Sequence, residues 1–363
     1  MKNMPNMFDM DRQAMATYLS GMGEQTFRAS QVIKWLYQQG NTDFDAMTNL
    51  SKELREKLVD TTVLSLPEMI CEKISRDGTR KWLLRVDEKN CIETVFIPEK
   101  DRGTLCISSQ VGCALDCSFC ATAKQGYSRN LEVSEIIGQL WLANQKLGYF
   151  HSGERIISNV VMMGMGEPLM NFENVIKAMN IMMDDMAFGL AHRRVTLSTS
   201  GIVPGIHKLA EHTTASLAVS LHAANNPLRD VLVPVNRKYP LEILMEACKD
   251  YALARSGEPV TFEYVMLQDV NDRESDAKEL VQLLDRIPAK VNLIPFNPFP
   301  GTDYRCSDVQ VINRFREILM NAGIITITRK TRGDDIDAAC GQLVGQVYAR
   351  ARKYQNRKMA HSL

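Results

Sequence analysis

The sequence contains no apolar run approaching the roughly 18 residues of a membrane span, and its start, Met1 to Asp9, lacks the apolar block of a secretory signal. Those two absences argue against insertion and export, and the expected compartment is the cytosol. Net charge is also missing. The 43 Lys plus Arg residues balance 43 Asp plus Glu, so bulk electrostatics speaks neither for nor against a polyanionic partner. No low-complexity tract or internal repeat stands out, which sets aside repeat architectures. The 9 cysteines are odd in number and clustered rather than spread as a framework. In a reducing compartment that pattern argues against structural disulfides and for metal and redox chemistry. No second CxxC accompanies Cys117 to Cys120, so the paired units of a typical structural zinc site are lacking.

What is present is a chain of 363 residues, 45% hydrophobic, long enough for two domains or for one barrel with an appendage. Its most informative run is Cys113-Ala-Leu-Asp-Cys117-Ser-Phe-Cys120. Three thiolates at this spacing can anchor an iron–sulfur cube, usually held by four, and leave its fourth iron open to a small molecule. A zinc site would instead have to recruit Cys106 or a distant histidine as fourth ligand. With Phe119 before the last cysteine, the triple resembles the radical S-adenosylmethionine (SAM) superfamily. That resemblance implies one 4Fe–4S cluster on Cys113, Cys117 and Cys120, with SAM on the open iron as the source of a 5'-deoxyadenosyl radical. In such systems the cofactor carries the hard chemistry and the protein aims it.

Apolar stripes over Ser30–Gln38 and Leu50–Val59 predict short helices, and the alternation of Glu68–Val86 around Asp77-Gly78 predicts a hairpin, with Cys91–Ile97 as a further strand. Residues 1–98 therefore read as an accessory helical domain with a small β extension. From residue 99 to 343, short β-rich runs alternate with amphipathic stretches, as in a parallel α/β barrel. The expected strands are Leu105–Ser109, Asn159–Gly164, Val195–Thr199, Ser216–Leu221, Thr261–Leu267, Val291–Pro295 and Ile324–Arg329. The fold class is α/β, a partial (β/α)6 barrel whose active site lies at the carboxyl ends of its strands. Residues 344–363 form a basic tail carrying Arg350, Arg352, Lys353, Arg357 and Lys358, read either as a phosphate contact or as a solvated helix.

Motifs follow the expected strands. The cysteine triple follows the first, and Met163-Gly-Met-Gly-Glu167-Pro follows the second, where glycines admit a ligand close to the backbone and Glu167 suits an ammonium group. In the radical SAM superfamily this element holds the SAM amino group, which makes Gly166 and Glu167 cofactor candidates. Ser198 at the third strand, Ser220-Leu221-His222 at the fourth and Asn297 in a proline-rich loop offer groups suited to the ribose, carboxylate and adenine of a nucleoside cofactor. Cys106, on the first strand, and Cys340, flanked by polar residues and Gly341, stand apart from Cys71, Cys91, Cys248 and Cys306, which read as structural. Acidic Asp334, Asp335 and Asp337 would raise the pKa of a nearby thiol.

The longer runs Cys106-Ile-Ser-Ser-Gln-Val-Gly-Cys113, Val161 to Pro168, Arg194 to Gly201 and Arg329 to Gln342 resemble the RlmN family, adenine carbon-2 methyltransferases of ribosomal and transfer RNA. The resemblance implies two SAM molecules per turnover, one methylating Cys340 and one activating that S-methyl group for addition to carbon-2. It further implies release by Cys106 and proton removal by Glu93, whose bland reading is an exposed strand carboxylate. The implied partners are 23S rRNA and tRNA, a flavodoxin-like electron donor and a thiol reductant, with neither membrane nor DNA. Candidate RNA-backbone contacts are Arg193-Arg194, Arg237-Lys238, Arg329-Lys330 and Arg332. The rival readings are Cfr-like methylation at adenine carbon-8 and a non-catalytic, RNA-binding or redox-sensing cluster protein.

Overall fold

The computed structural model describes residues 4–100 and 102–345. At the N-terminal end lie the helices Arg12–Gly21, Phe27–Tyr37 and Lys52–Thr61. Two start at side-chain caps: Asp11 accepts from the Ala14 N–H at 2.8 Å and Ser51 from the Leu54 N–H at 3.2 Å. Their inward stripes, including Met15, Leu19, Val32, Leu36, Leu54 and Leu58, are buried.

These helices are fastened to the rest of the chain by aromatic contacts. Phe8 meets Trp141 edge-on at 6.3 Å, Tyr37 packs on Phe188 at 5.3 Å, and the Trp141 indole N–H donates to the Leu36 carbonyl at 2.7 Å. Trp141→Ala removes both a buried ring and that bond. It is expected to cost about 3–5 kcal/mol, measured as a lower denaturant midpoint, with the three-helix end loosening first in hydrogen exchange.

Twelve strands follow: β1 Glu68–Ile74, β2 Arg80–Arg85, β3 Cys91–Glu99, β4 Arg102–Cys106, β5 Gln110–Gly112, β6 Tyr127–Asn130, β7 Asn159–Met162, β8 Val195–Thr199, β9 Ser216–Ser220, β10 Val260–Met266, β11 Ala289–Pro295 and β12 Ile325–Thr328. Ten of them form one sheet in the order β1-β2-β3-β4-β7-β8-β9-β10-β11-β12. Pairing is antiparallel from β1 to β4 and parallel from β4 to β12. The parallel part is the partial barrel expected, and each of its strands overlaps an expected run. Helices Val133–Lys146, Phe172–Met183, Val203–His212, Leu241–Ala254, Glu274–Leu284 and Val309–Asn321 fill the intervals. Among the described residues β1 and β12 remain open edges, so the barrel does not close.

Two features differ from the sequence reading. The β1–β3 extension is not a separate sheet but the antiparallel continuation of the barrel, joined by β3 pairing with β4. A second sheet, β5 with β6, brackets the cysteine loop; strands of 3 and 4 residues are too short to show a period. The basic tail, from residue 346 on, lies outside the described residues.

Candidate active site

The cysteine triple leaves the small β5–β6 sheet and runs into the short helix Ala121–Gln125. Backbone bonds fix the loop: Cys113 N–H to Gly126 O at 3.0 Å, Ser118 N–H to Leu232 O at 3.1 Å, and Ala121 N–H to Gly341 O at 2.8 Å. Cys113, Cys117 and Cys120 line one cavity at the carboxyl ends of the parallel strands. Burial pushes the Cys113 thiol up to about 12 and that of Cys117 well above its ordinary value, and the neighbouring thiols add to both shifts. Such a trio is held deprotonated only if positive charge arrives with a metal group. Three thiols from one loop, all lining one cavity, are the donor set of a cube that keeps its fourth iron open, so the residues present fit the cluster.

The opposite wall is built by the loop after β7. Glu167 is buried, with Oε2 accepting from the Ser200 N–H at 2.7 Å and Oε1 from the Leu169 N–H at 3.1 Å. Burial raises its pKa and those donors only partly offset the rise; a bound ammonium would complete the compensation. Gly166 has φ +98°, and a Cβ there would stand 2.5 Å from Gln110 Cβ. Gly166→Ala combines that clash with a left-handed backbone cost of about 1–2 kcal/mol. It is expected to weaken SAM binding by about tenfold or more at unchanged iron content, measured by equilibrium dialysis.

Ser198, Ser220, His222 and Asn297 line the same cavity. His222 is buried at φ +61°, and its Nδ1 accepts from the Val265 N–H at 3.0 Å. Burial and then Arg229 depress its pKa to about 3, so the ring is neutral and carries its proton on Nε2. It packs edge-on to Phe119 at 4.5 Å, directly beside the cluster loop. Leu221 departs from the expectation. Its side chain is fully buried, its N–H donates to Glu263 O and its carbonyl accepts from Arg229, and it does not line the cavity. It lies just past the end of β9, and its side chain joins the hydrophobic core while Ser220 and His222 on either side line the cavity.

Cys106 ends β4 and is buried, while Cys340 is exposed in the loop after β12. Burial, then the proximity of Cys340, pushes the Cys106 thiol up to about 12, and Arg329 pulls against this. The Arg329 guanidinium lies beside Cys340, with Nη1 4.0 Å from Cys340 Sγ and Nη2 3.8 Å from Met163 Sδ and 3.1 Å from Glu263 Oε1. Burial alone would lower its pKa, but Glu263, Cys340 and Cys106 outweigh that and raise it. Arg329 thus faces the cavity rather than an RNA backbone. Arg194 is likewise engaged, donating to Asn159 at 3.0 Å, while Arg332 pairs with Asp77 at 3.6 Å. Arg193, Arg237, Lys238 and Lys330 are exposed.

Glu93 is buried, not an exposed strand carboxylate. Its Oε1 pairs with Lys81 Nζ at 3.1 Å and its Oε2 accepts the Val344 N–H at 2.9 Å, while Lys81 also donates to the Asp337 carbonyl at 2.9 Å. In this arrangement the carboxylate grips the loop that carries Cys340. The loop's acidic residues point elsewhere: Asp335 accepts from Ser75 Oγ at 2.5 Å and from the Arg76 N–H at 3.2 Å. Glu263 was missed by the sequence reading. It is a carboxylate inside the buried run Val260–Met266, and its Oε2 is buried at the cavity without a partner. A lone acid in an apolar strand was the available signal.

The family model described as the ribosomal RNA large subunit methyltransferase N-terminal domain matches residues 5–64, and that of the radical SAM superfamily matches residues 107–283. A crystal structure of a radical SAM methyltransferase from Sphaerobacter thermophilus is similar at 42% identity, covering 93% of this chain and 99% of its own, with a TM-score of 0.87. SuiB from Streptococcus suis is a far weaker likeness, at 16% identity over 62% of this chain and 49% of its own, with a TM-score of 0.46.

Proposed function

The chain belongs to the RlmN family of radical SAM methyltransferases, and from that premise we propose that it methylates carbon-2 of an adenine in 23S rRNA and in tRNA through a methylated Cys340. The observation that carries this reading is Cys340 in the lining of the cavity that also holds Cys113, Cys117 and Cys120, with the Arg329 guanidinium 4.0 Å from its sulfur and the buried Cys106 thiol close enough to oppose its charge. Plain SN2 transfer to a ring carbon fails because adenine carbon-2 is electrophilic. SAM, bound at the cluster on Cys113, Cys117 and Cys120, supplies the methyl group and the radical that activates it, two molecules per turnover.

The residues of the chain do the rest. Glu167 and Gly166 seat the amino group of SAM, and Ser198, Ser220, Asn297 and the Nε2–H of His222 seat its nucleoside. Cys340 accepts the methyl group on sulfur, and that carbon bonds to carbon-2, the hydrogen atom it loses and the odd electron of the adduct both being ones that the bound cofactors would take up. Glu93 takes the carbon-2 proton once the Cys340 loop has moved off its carboxylate. Cys106, as thiolate, attacks the Cys340 sulfur and forms a disulfide, while the sulfur–carbon bond breaks with its electron pair left on the added carbon as an enamine that then takes up a proton. That disulfide calls for a thiol reductant, and the cluster for a one-electron donor such as a flavodoxin-like protein. The adenine must be presented unstacked.

Nucleoside analysis of rRNA and tRNA methylated by the purified enzyme tests the reading. The expected product is 2-methyladenosine in both RNAs; 8-methyladenosine would move the chemistry to the Cfr-like position and overturn the assignment.

A further inference from the structure

Arg229, in the helix Asn226–Leu232, is completely buried. Most buried guanidiniums are neutralised by a carboxylate, because an unpaired interior charge is costly. Among the described residues Arg229 pairs with none within 4.0 Å. All of its bonds go to neutral oxygens: Nε to Leu221 O at 3.0 Å, Nη1 to Asn236 Oδ1 at 2.8 Å, and Nη2 to Ser200 O at 2.8 Å and Ser220 O at 3.1 Å. The nearby Asp230 spends its Oδ1 on Asn236. Arg329, by contrast, is compensated by Glu263.

The environment of Arg229 leads to the cysteine loop. Ser200, whose carbonyl it holds, lines the same cavity as Cys117. The C-terminal residue of its helix, Leu232, accepts the Ser118 N–H and packs against Cys117. Burial lowers the Arg229 pKa to about 10, with Cys117 first among the groups that oppose the shift, so the cation persists at neutral pH.

We propose that Arg229 is the counter-charge of the cluster held by Cys113, Cys117 and Cys120, a positioning residue that eases the entry of an electron into it. Three thiolates outweigh the charge of a 4Fe–4S core, and one-electron reduction makes the assembly more negative while no bond breaks. A fixed cation favours the reduced form, because net charge and hydrogen bonding set the potentials of such clusters. The inference rests on the cluster reading of the cysteine triple and not on the identity of the RNA base.

The test uses Arg229→Gln and Arg229→Lys protein, reconstituted anaerobically with iron and sulfide and titrated without RNA against dithionite-poised mediators, the reduced cluster being counted by EPR. The Gln variant is expected to show a more negative midpoint, and at a fixed potential several-fold less reduced cluster. Lys, which keeps the charge but loses the fork, is expected to restore most of the signal. A Gln variant at the wild-type midpoint, or Gln and Lys shifted equally, would overturn the proposal. Should the Gln variant fail to hold a cluster, Lys alone decides. A lower melting temperature at an unmoved midpoint supports the charge, and a midpoint that falls in step with stability refutes it. Since no RNA is present, such a failure leaves the methylation reading untouched.

Discussion

Cys106→Ala is expected to leave the protein covalently joined to its RNA substrate through Cys340. On the proposed mechanism, methylation of Cys340 and attachment to the base need only Cys340, the cofactors and Glu93, so they should proceed. Release needs a thiolate placed against the Cys340 sulfur, and Cys106 is the buried thiol whose ionisation Cys340 opposes. Cys91 and Cys248 are buried elsewhere, and Cys71 is exposed on β1. Turnover should fall to a single adduct per protein, seen as an RNase-sensitive band shift in a denaturing gel. Free methylated RNA released over many turnovers would refute the assigned step. Burial also makes the Cys106 thiolate scarce, its pKa standing near 12. The Arg329 guanidinium pulls it down, and Arg329→Met in the wild-type background should slow release in the same direction.

Cys117→Ala is expected to abolish cluster assembly and, with it, all 5'-deoxyadenosine formation. The fold should survive. Cys117 packs in a small apolar group with Leu232, Val233, Val265 and Phe296, and exchanging its sulfur for nothing larger than a methyl group should cost about 1 kcal/mol. Iron content, visible absorption and a melting curve separate the two effects. A variant with a full iron complement, or one that still cleaves SAM, would show that the triple is not the cluster's anchor.

The parallel strands were legible because each is a short apolar run bounded by Gly, Pro or polar residues, and the site was legible because such barrels put chemistry where those runs end. Gly166, Glu167, Ser198, Ser220, His222 and Asn297 all line the cavity on that logic. Leu221 was drawn in with its neighbours, although its side chain packs into the core. What could not be read were roles set by distant partners. Glu93 looks solvent-facing in its own strand, yet Lys81 from the adjacent strand and Val344 from the far end of the chain enclose it. Arg329 reads only as half of a basic pair until the fold lays sulfurs and Glu263 around it. The β5–β6 pair that brackets the cysteine loop is invisible for the simpler reason that its strands are too short to carry a pattern.

The most direct test of the whole account is EPR of the reduced protein, purified and reconstituted without oxygen, before and after SAM is added. A cubane spectrum that changes shape on adding SAM, followed by release of 5'-deoxyadenosine, is the predicted result. Bound zinc in place of iron, or a cubane spectrum that SAM leaves unchanged, would contradict it.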